Sequence, residues 1–544
     1  MTMTPHITIA ATDASSAYLL AAPGTAQPAT GLLVPRLNAI STLQRPLSIP
    51  GIATAPGSNL DADLGNEDGK LTALWGARPP VRRRATVVDV ATGKTLFAGI
   101  VTGLQLGEQL RLTLEAGLDR PLSDNLPLRT SAVWGGWRDV RVLPWVYGAC
   151  TLAPIQYSDD QRLYLLADHP IAGVDAVTRD DVPVQDWDWY NSVDSTGRAV
   201  AMLELAQPLA EGERLAATVR GRMHPTTGAP LQTPAEVLHD VLAHLARAPV
   251  QWADLDDYRT ETAHIVLGGL LGDNSITIRA AVDGIMQSAG SAWAAAMPGI
   301  ATTWPPLPDA AAPALVVDKM TAQSLQAATS AQGVFTVLRV LYDYDHAAQR
   351  YRRAIQLRAP DVVKDYGELE LEWPAPWLRS PRHAEALGQR MLAWLARPRW
   401  RVTWQQSYAD APTGAWVDVV HPLSPLQGRH RLVTADLDLG AATLSCAIEA
   451  PVGAAPVIET MRLSTAFDPV IQPGITVEVG KNEIIFTATD EQGRPLAGAR
   501  ITLNGGASRI ADGAGRVSFP VARGRHVLLI QATGYPPYEA VVVV

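Results

Sequence analysis

Apolar and polar residues alternate singly in run after run of this chain, and that period of two constrains the fold more than any other feature. Leu110-Arg111-Leu112-Thr113-Leu114 is the plainest case. Side chains alternate across a strand, so its leucines share one face. Thr86-Val87-Val88-Asp89-Val90, the turn Ala91-Thr92-Gly93-Lys94 and Thr95-Leu96-Phe97-Ala98-Gly99-Ile100-Val101 make a neighbouring β unit. The 43 glycines and 41 prolines are spread over 544 residues and keep such runs short. That is the pattern of β-structure cut by turns.

Length divides the chain further. At roughly 100–200 residues per domain, about three to five domains are expected. Residues 1–70 form an N-terminal β-rich segment with short strands at Ile7-Thr8-Ile9 and Leu32-Leu33-Val34, and the polar stretch Pro56 to Lys70 reads as a long loop. Residues 71–130 form a β-barrel or meander, and 131–230 a β-rich unit. In the latter, Ile155-Gln156-Tyr157, the turn Ser158-Asp159-Asp160-Gln161 and Arg162 to Leu166 make a hairpin, and Asp194-Ser195-Thr196-Gly197 turns into Ala199 to Leu203. Residues 231–345 form a helix-containing α+β insertion, 346–452 a β domain with an embedded helix, and 471–544 a β-sandwich, with 451–474 as linker. The fold class expected is mainly β with a few helices (α+β), multi-domain, with β-barrels and a C-terminal β-sandwich.

Two helices carry clear start signals. Thr233 caps the first, Pro234 occupies its first position and Glu236 completes a capping box; Val237, Leu238, Val241, Leu242 and Leu245 form its apolar stripe. Ser380 and Pro381 start the second, with Leu387, Met391, Trp394 and Leu395 as the stripe and Pro398 beyond its end. A third runs from Ile278 to about Gln287, and 296–314 reads as a connector.

Composition excludes several classes. Hydrophobic residues are 47% and charged residues 18%, a globular balance. The net charge of −9 argues against a nucleic-acid binder, whose surface is normally basic. Arg82-Arg83-Arg84, the one tight basic run, leads straight into a strand and reads as its solvated end. No stretch approaches the ~20 apolar residues of a membrane span, and Met1 to Thr12 lacks the features of a secretory signal. A protein made and kept in a cytoplasm is expected. The two cysteines, Cys150 and Cys446, offer no metal-ligand spacing. Cys446 shares a strand face with Leu444 and Ile448 and reads as a small buried hydrophobe; a Cys150–Cys446 disulfide stays open.

The segment 131–210 resembles tail-tip proteins of long-tailed bacteriophages. The residues that carry the likeness are Val146-Tyr147-Gly148, Pro154-Ile155-Gln156-Tyr157-Ser158-Asp159-Asp160, Ala167-Asp168-His169-Pro170-Ile171 and Asp194-Ser195-Thr196-Gly197. Leu96-Phe97-Ala98-Gly99-Ile100-Val101 is similar to a strand of hub barrels, and Trp373 to Trp404 also fits. The resemblance implies a virion structural protein: a baseplate hub at the tail tip, assembled with itself as a ring, often a homotrimer, and with other tail proteins. It implies no enzyme, no cofactor and a role in tail assembly and host attachment. The last ~70 residues, through Thr489 to Ala499 and Thr533-Gly534-Tyr535, resemble immunoglobulin-like, carboxypeptidase-regulatory-like modules. Such a module implies surface decoration and, on a second reading, binding of a host surface glycan.

Residues with chemical potential have bland readings beside the sharp ones. Asp159-Asp160 could be paired carboxylates, but adjacent turn residues point apart and a hairpin turn is the simpler reading. Asp168-His169 is a triad fragment without a serine motif. His239 and His244 lie five apart and do not share a helix face. Asp61, Asp63, Glu67 and Asp68 lie close together, yet Gly65 and Asn66 break the calcium-loop pattern. A polysaccharide hydrolase is therefore the weakest reading. The aromatic residues Trp134, Trp137, Trp187, Trp189 and Tyr190 are the candidate interface or ligand contacts, since Trp and Tyr concentrate at interaction hot spots.

Overall fold

The computed structural model describes residues 5–543 apart from 10–17, 22–31, 35, 46, 51–58, 78, 90–92, 117–118, 135–139, 211, 249, 251, 295–300, 307–311, 331–332, 410, 465–474, 480–483, 489–494, 496, 504–506, 520–524 and 532–537. The fold is mainly β, with several sheets and a few helices.

Two of the sheets curl into barrels. The first has eight strands, in the order Leu32–Val34, Tyr18–Ala21, Pro5–Ile9, Arg84–Asp89, Lys94–Gln105, Gln109–Ala116, Asn59–Gly65 and Leu37–Ile40. Its end strands are joined only by Pro35 and Arg36, a link of about 10 Å at most. A flat sheet of that many strands is about 34 Å wide, so this one must close on itself. The second sheet behaves alike. Its main path runs Leu315–Val317, Trp416–Val419, Gly428–Asp438, Thr443–Pro451, Arg399–Ser407 and Gln323–Ser330. Again the end strands are consecutive in the chain, with only Asp318–Ala322 between them.

Alternation fills both barrels. Leu110, Leu112 and Leu114 are fully buried in the first; Val417, Val419, Leu444, Cys446 and Ile448 line the second. The two share one continuous apolar cluster, and Thr42–Leu43, just after the first barrel's last strand, pairs with Leu437 and Asp438 of the second. The polar stretch read as a loop from Pro56 to Lys70 holds the strand Asn59–Gly65, followed by the short helix Lys70–Trp75. Its inward residues are Leu60, Ala62 and Leu64, and the aspartates between them face out. The barrel's first strand, Pro5–Ile9, pairs with Arg84–Asp89, so the chain crosses the expected limit at residue 70 within one sheet.

A helical core is built from chain that precedes the second barrel and from a stretch inserted between that barrel's strands. Helix Pro234–Asp240 starts with the predicted capping box: Thr233 Oγ1 accepts from Glu236 N–H at 3.4 Å, and Glu236 Oε2 accepts from Thr233 N–H at 3.0 Å. Such caps contribute about 1 kcal/mol. The helix runs on into a wider turn, Val241–Leu245. Helices Ile278–Ala289 and Pro381–Leu395 join it over the strands Val337–Asp345 and Arg350–Arg358.

Two four-stranded sheets make a small sandwich. One contains Ala149–Leu152, Leu215–Arg222, Ile171–Arg179 and Val182–Pro183; the other contains Ile155–Gln156, Leu163–Ala167, Ala199–Leu205 and Trp187–Val193. Backbones cross closely where it meets the helical core. Gly148 has φ +50°, and a Cβ there would stand 2.0 Å from Leu267 O. A Cβ on Gly268 would stand 2.0 Å from Ala149 O. Only glycine fits such a crossing. Tyr147 Oη donates to Asp240 Oδ2 at 2.8 Å, and Arg222 pairs with the same carboxylate at 2.9 Å, tying sandwich to helix.

The stretch 451–474, read as linker, contains the strand Glu459–Ser464. It pairs antiparallel with Arg350–Arg358 and parallel with Tyr538–Val543. One eight-stranded sheet therefore runs from the helical core into the C-terminal strands Tyr538–Val543, Arg525–Gln531, Arg500–Leu503 and Ala507–Ile510. Ile475–Val479, Ile484–Ala488 and Arg516–Phe519 form a separate three-stranded sheet. The turns expected at Asp490–Gly493, Asn504–Gly506 and Gly534-Tyr535 lie outside the described residues.

Candidate interaction surfaces

The sandwich gathers most of the residues that the sequence marks as chemically able. Leu163–Ala167 ends at Asp168, and the hairpin between Trp187–Val193 and Ala199–Leu205 turns at Asp194. Both carboxylates are buried and converge on one guanidinium. Arg129 Nε lies 3.0 and 3.1 Å from the two oxygens of Asp168, and its Nη1 lies 3.0 Å from Asp194 Oδ2. Asp194 Oδ1 also accepts from Thr196 Oγ1–H at 2.6 Å and from the N–H groups of Thr196 and Arg198 at 2.9 and 3.0 Å. Burial works to raise the Asp194 pKa, but these donors, with Trp134 Nε1–H at 3.3 Å, outweigh it and hold the group well below the usual carboxylate range. Two carboxylates locked in this way are tied to structure rather than placed for proton transfer.

His169 is equally committed. Its Nε2 accepts from Val146 N–H at 2.9 Å, and its Nδ1–H donates to Pro170 O at 2.8 Å. Burial pushes its pKa down to about 3, so the ring is neutral with both nitrogens in use. A general base needs a free ring nitrogen, and this one has none.

The remaining candidates resolve individually. Asp160 accepts from Ser158 Oγ–H and from Arg162 N–H, closing the hairpin turn. Asp63 pairs with Arg111 at 2.8 Å, Asp61 accepts from Thr113 Oγ1–H at 2.8 Å, and Asp68 pairs with Arg36. Among the described residues no group of His, Cys, Asp or Glu is set to hold a metal ion. His239 stacks on Trp252 with ring centroids 3.9 Å apart, and His244 Nε2 lies 3.4 Å from Asp240. Arg82 sits in a turn at φ +70° and Arg84 opens its strand. Cys150 and Cys446 are free thiols in separate cores, and burial pushes each pKa up to about 12.

The aromatic candidates separate. Trp187 and Trp189 alternate with Tyr190 on an end strand of the sandwich. The tryptophans pack partly buried against the sandwich core, and Trp187 Nε1–H donates to Val184 O at 2.9 Å. Tyr190 faces the other way and is exposed. Trp134 stacks edge-on against Tyr157 at 4.8 Å and packs beside Leu165 and Met202. Trp137 lies outside the described residues.

The bare surface lies elsewhere, where the sequence drew no attention. At one corner of the second barrel Val316 is 49% exposed, Val420 56%, Leu423 73% and Met320 90%. Val420 N–H donates to Val317 O at 2.9 Å, which holds the two strand ends together. Clustered apolar exposure of this kind marks interaction sites, whereas single exposed apolar residues are ordinary.

No family model matches the chain, and no curated protein matches it. Solved structures are similar over most of its length. A tail protein from Neisseria meningitidis MC58 is 9% identical, covering 76% of this chain and 96% of its own, with a TM-score of 0.38. The 43 kDa tail protein of prophage MuSo2 from Shewanella oneidensis is 8% identical, covering 82% and 98%, with a TM-score of 0.38. An E. coli component of the type VI secretion system is 9% identical, covering 93% and 96%, with a TM-score of 0.34. All three TM-scores lie below 0.5.

Proposed function

We propose that this chain is a structural subunit of a phage tail tip, a baseplate hub that works by assembly. The carrying observation is the division of its polar and apolar residues. Carboxylates and histidines able to do chemistry are held in structural pairs at Arg129, Asp168, Asp194 and His169. Among the exposed apolar residues, Val316, Met320, Val420 and Leu423 gather at one barrel corner. A barrel scaffold with inert polar groups and an adhesive exterior suits a part that binds other proteins. The sequence motifs between Val146 and Gly197 supply the tail-tip assignment.

In this reading copies of the chain assemble as a ring on the tail axis, a trimer by expectation, joined to other tail proteins in the virion. Host attachment and opening of the channel follow from that position. Tyr190 and Trp134 remain contact candidates on the sandwich. The test is to make particles without this chain. Tails that stop short of a complete tip, restored by supplying the chain, are expected. Complete infective tails formed in its absence would overturn the proposal.

A further inference from the structure

The apolar corner of the second barrel is made by two loops, and each is held from within by a titratable side chain. Leu315–Val317 and Trp416–Val419 run parallel and end together, so the chain beyond Val317 lies beside the chain beyond Val419. On the first loop Asp318 Oδ1 accepts from Met320 N–H and Thr321 N–H, both at 2.8 Å, and from Thr321 Oγ1–H at 3.0 Å. These donors set the turn that carries Met320. On the second loop His421 is buried, and its Nδ1 accepts from Leu423 N–H at 3.2 Å. Its carbonyl accepts from Ser424 N–H at 3.0 Å and from Gln427 Nε2–H at 2.8 Å. The exposed Leu423 is thus positioned by a buried ring two residues before it.

A ring nitrogen accepts a hydrogen bond only while it lacks a proton. The Leu423 N–H therefore fixes His421 as the tautomer with its hydrogen on Nε2. A proton added at Nδ1 turns that acceptor into a donor and sets it against the Leu423 N–H. A second acceptor stands on the facing loop. Among the described residues Asp318 Oδ2 has no partner, and Asp318 and His421 lie close enough for their charges to interact. The N–H and hydroxyl of Thr321, with the N–H of Met320, hold the Asp318 carboxyl below the usual carboxylate range, so it keeps its charge in mild acid. The other charged or titratable groups on the elements around the ring are Lys319, Asp418, Arg429 and His430. Lys319 is exposed on the Asp318 loop. Asp418 and Arg429 pair with each other at 3.1 Å, and His430 Nε2–H donates to Gln427 O at 3.1 Å.

We infer that His421 is a proton-operated latch on the apolar corner: the neutral ring holds the Leu423 N–H, and the charged ring turns to the Asp318 carboxylate. The two partners lie on different loops, and one ring nitrogen cannot serve both. Taking up the proton releases the turn from His421 to Ser424 and ties the ring to the loop that carries Met320. Leu423 then leaves the position it holds beside Val420, and the corner changes shape. Two exclusive hydrogen-bond arrangements make this a switch, in the pH range where histidine is the residue that serves as one. The latch stands on the corner's own geometry. That the corner is a place of attachment rests on the assembly reading above.

The experiment follows the full chain from about pH 7.5 to about pH 5, where histidines exchange protons. It reads the ring nitrogens of His421 by NMR and hydrogen exchange at the Leu423 amide, corrected for the pH dependence of exchange itself. The wild type is expected to gain a proton at His421 Nδ1 and, over the same range, to lose at least tenfold in protection at Leu423. Protection in Leu315–Val317 and Gly428–Asp438 should not change. In His421→Asn the side-chain oxygen accepts from the Leu423 N–H without titrating, so protection should persist at both ends of the range. Asp318→Asn keeps an oxygen for Met320 and Thr321 but removes the carboxylate, and should move the opening to lower pH. A ring that stays neutral throughout, or one that takes up the proton while Leu423 stays protected, would overturn the latch. An equal loss of protection along the strands would be acid unfolding and would overturn it as well, as would an opening that Asp318→Asn leaves at the same pH. Complete tails formed without this chain would strike the tail-tip reading and leave the latch standing.

Discussion

The small sandwich and the second barrel treat their polar groups in opposite ways. The sandwich turns charge inward: Asp168 and Asp194 are buried on Arg129, and His169 is enclosed as a neutral ring. The barrel fills its interior with aliphatic side chains and leaves an uncharged strand and Met320 in water. The difference teaches where function is to be sought. In the sandwich the conspicuous residues hold its loops in place. In the barrel the inconspicuous ones face whatever binds.

Breaking the sandwich side should give the largest effects. Gly148→Ala places a methyl group against Leu267 O at a positive φ, and a loss of more than about 4 kcal/mol is expected, read from urea unfolding or from the yield of folded protein. Near-normal stability would mean that the crossing relaxes easily. Arg129→Ala leaves two buried carboxylates without their shared cation. The expected cost is about 3–5 kcal/mol. Arg111→Ala, which removes an exposed partner of Asp63, should leave the urea midpoint nearly unchanged, since water screens such a pair. Equal costs for the two would erase the contrast between buried and exposed pairs.

Acid should sharpen the comparison next. Burial lowers the His169 pKa to about 3, and burial with the Arg379 charge lowers that of His346 to about 4. Both fall below the unfolded value, so the unfolded chain binds more protons between these values and about 6.5. Stability from each is full above about pH 6.5 and declines as pH falls toward the folded pKa, by about 1.4 kcal/mol per unit per group. His346→Gln should flatten the slope of urea midpoint against pH; an unchanged slope would remove His346 from the account. The smallest effect belongs to the barrel. Gln326→Glu/Ala328→Glu should change the stability of the chain by about 0.5 kcal/mol or less, because both side chains point into water. A large loss there would mean that the exposed faces of this strand serve the fold.

Local features of the fold were legible in the sequence. The caps at Thr233 and Ser380 bond to residues three positions on, so the signal and the structure sit together. The alternation at Leu110 to Leu114 is similarly local. What escaped depends on distant residues. Asn59–Gly65 looked like a loop because Asp61 and Asp63 sit between small inward residues, and their partners Thr113 and Arg111 lie far along the chain. Glu459–Ser464 is a strand through its pairing with Arg350–Arg358. The tryptophan cluster at 187–190 could have been split by its own period of two.

The central claim is that this chain acts by assembling through its surface. Light scattering on the purified full chain tests it most directly. A single species with the mass of a closed multiple of the chain is predicted. A strictly monomeric protein that stays monomeric when other tail proteins are added would contradict the account.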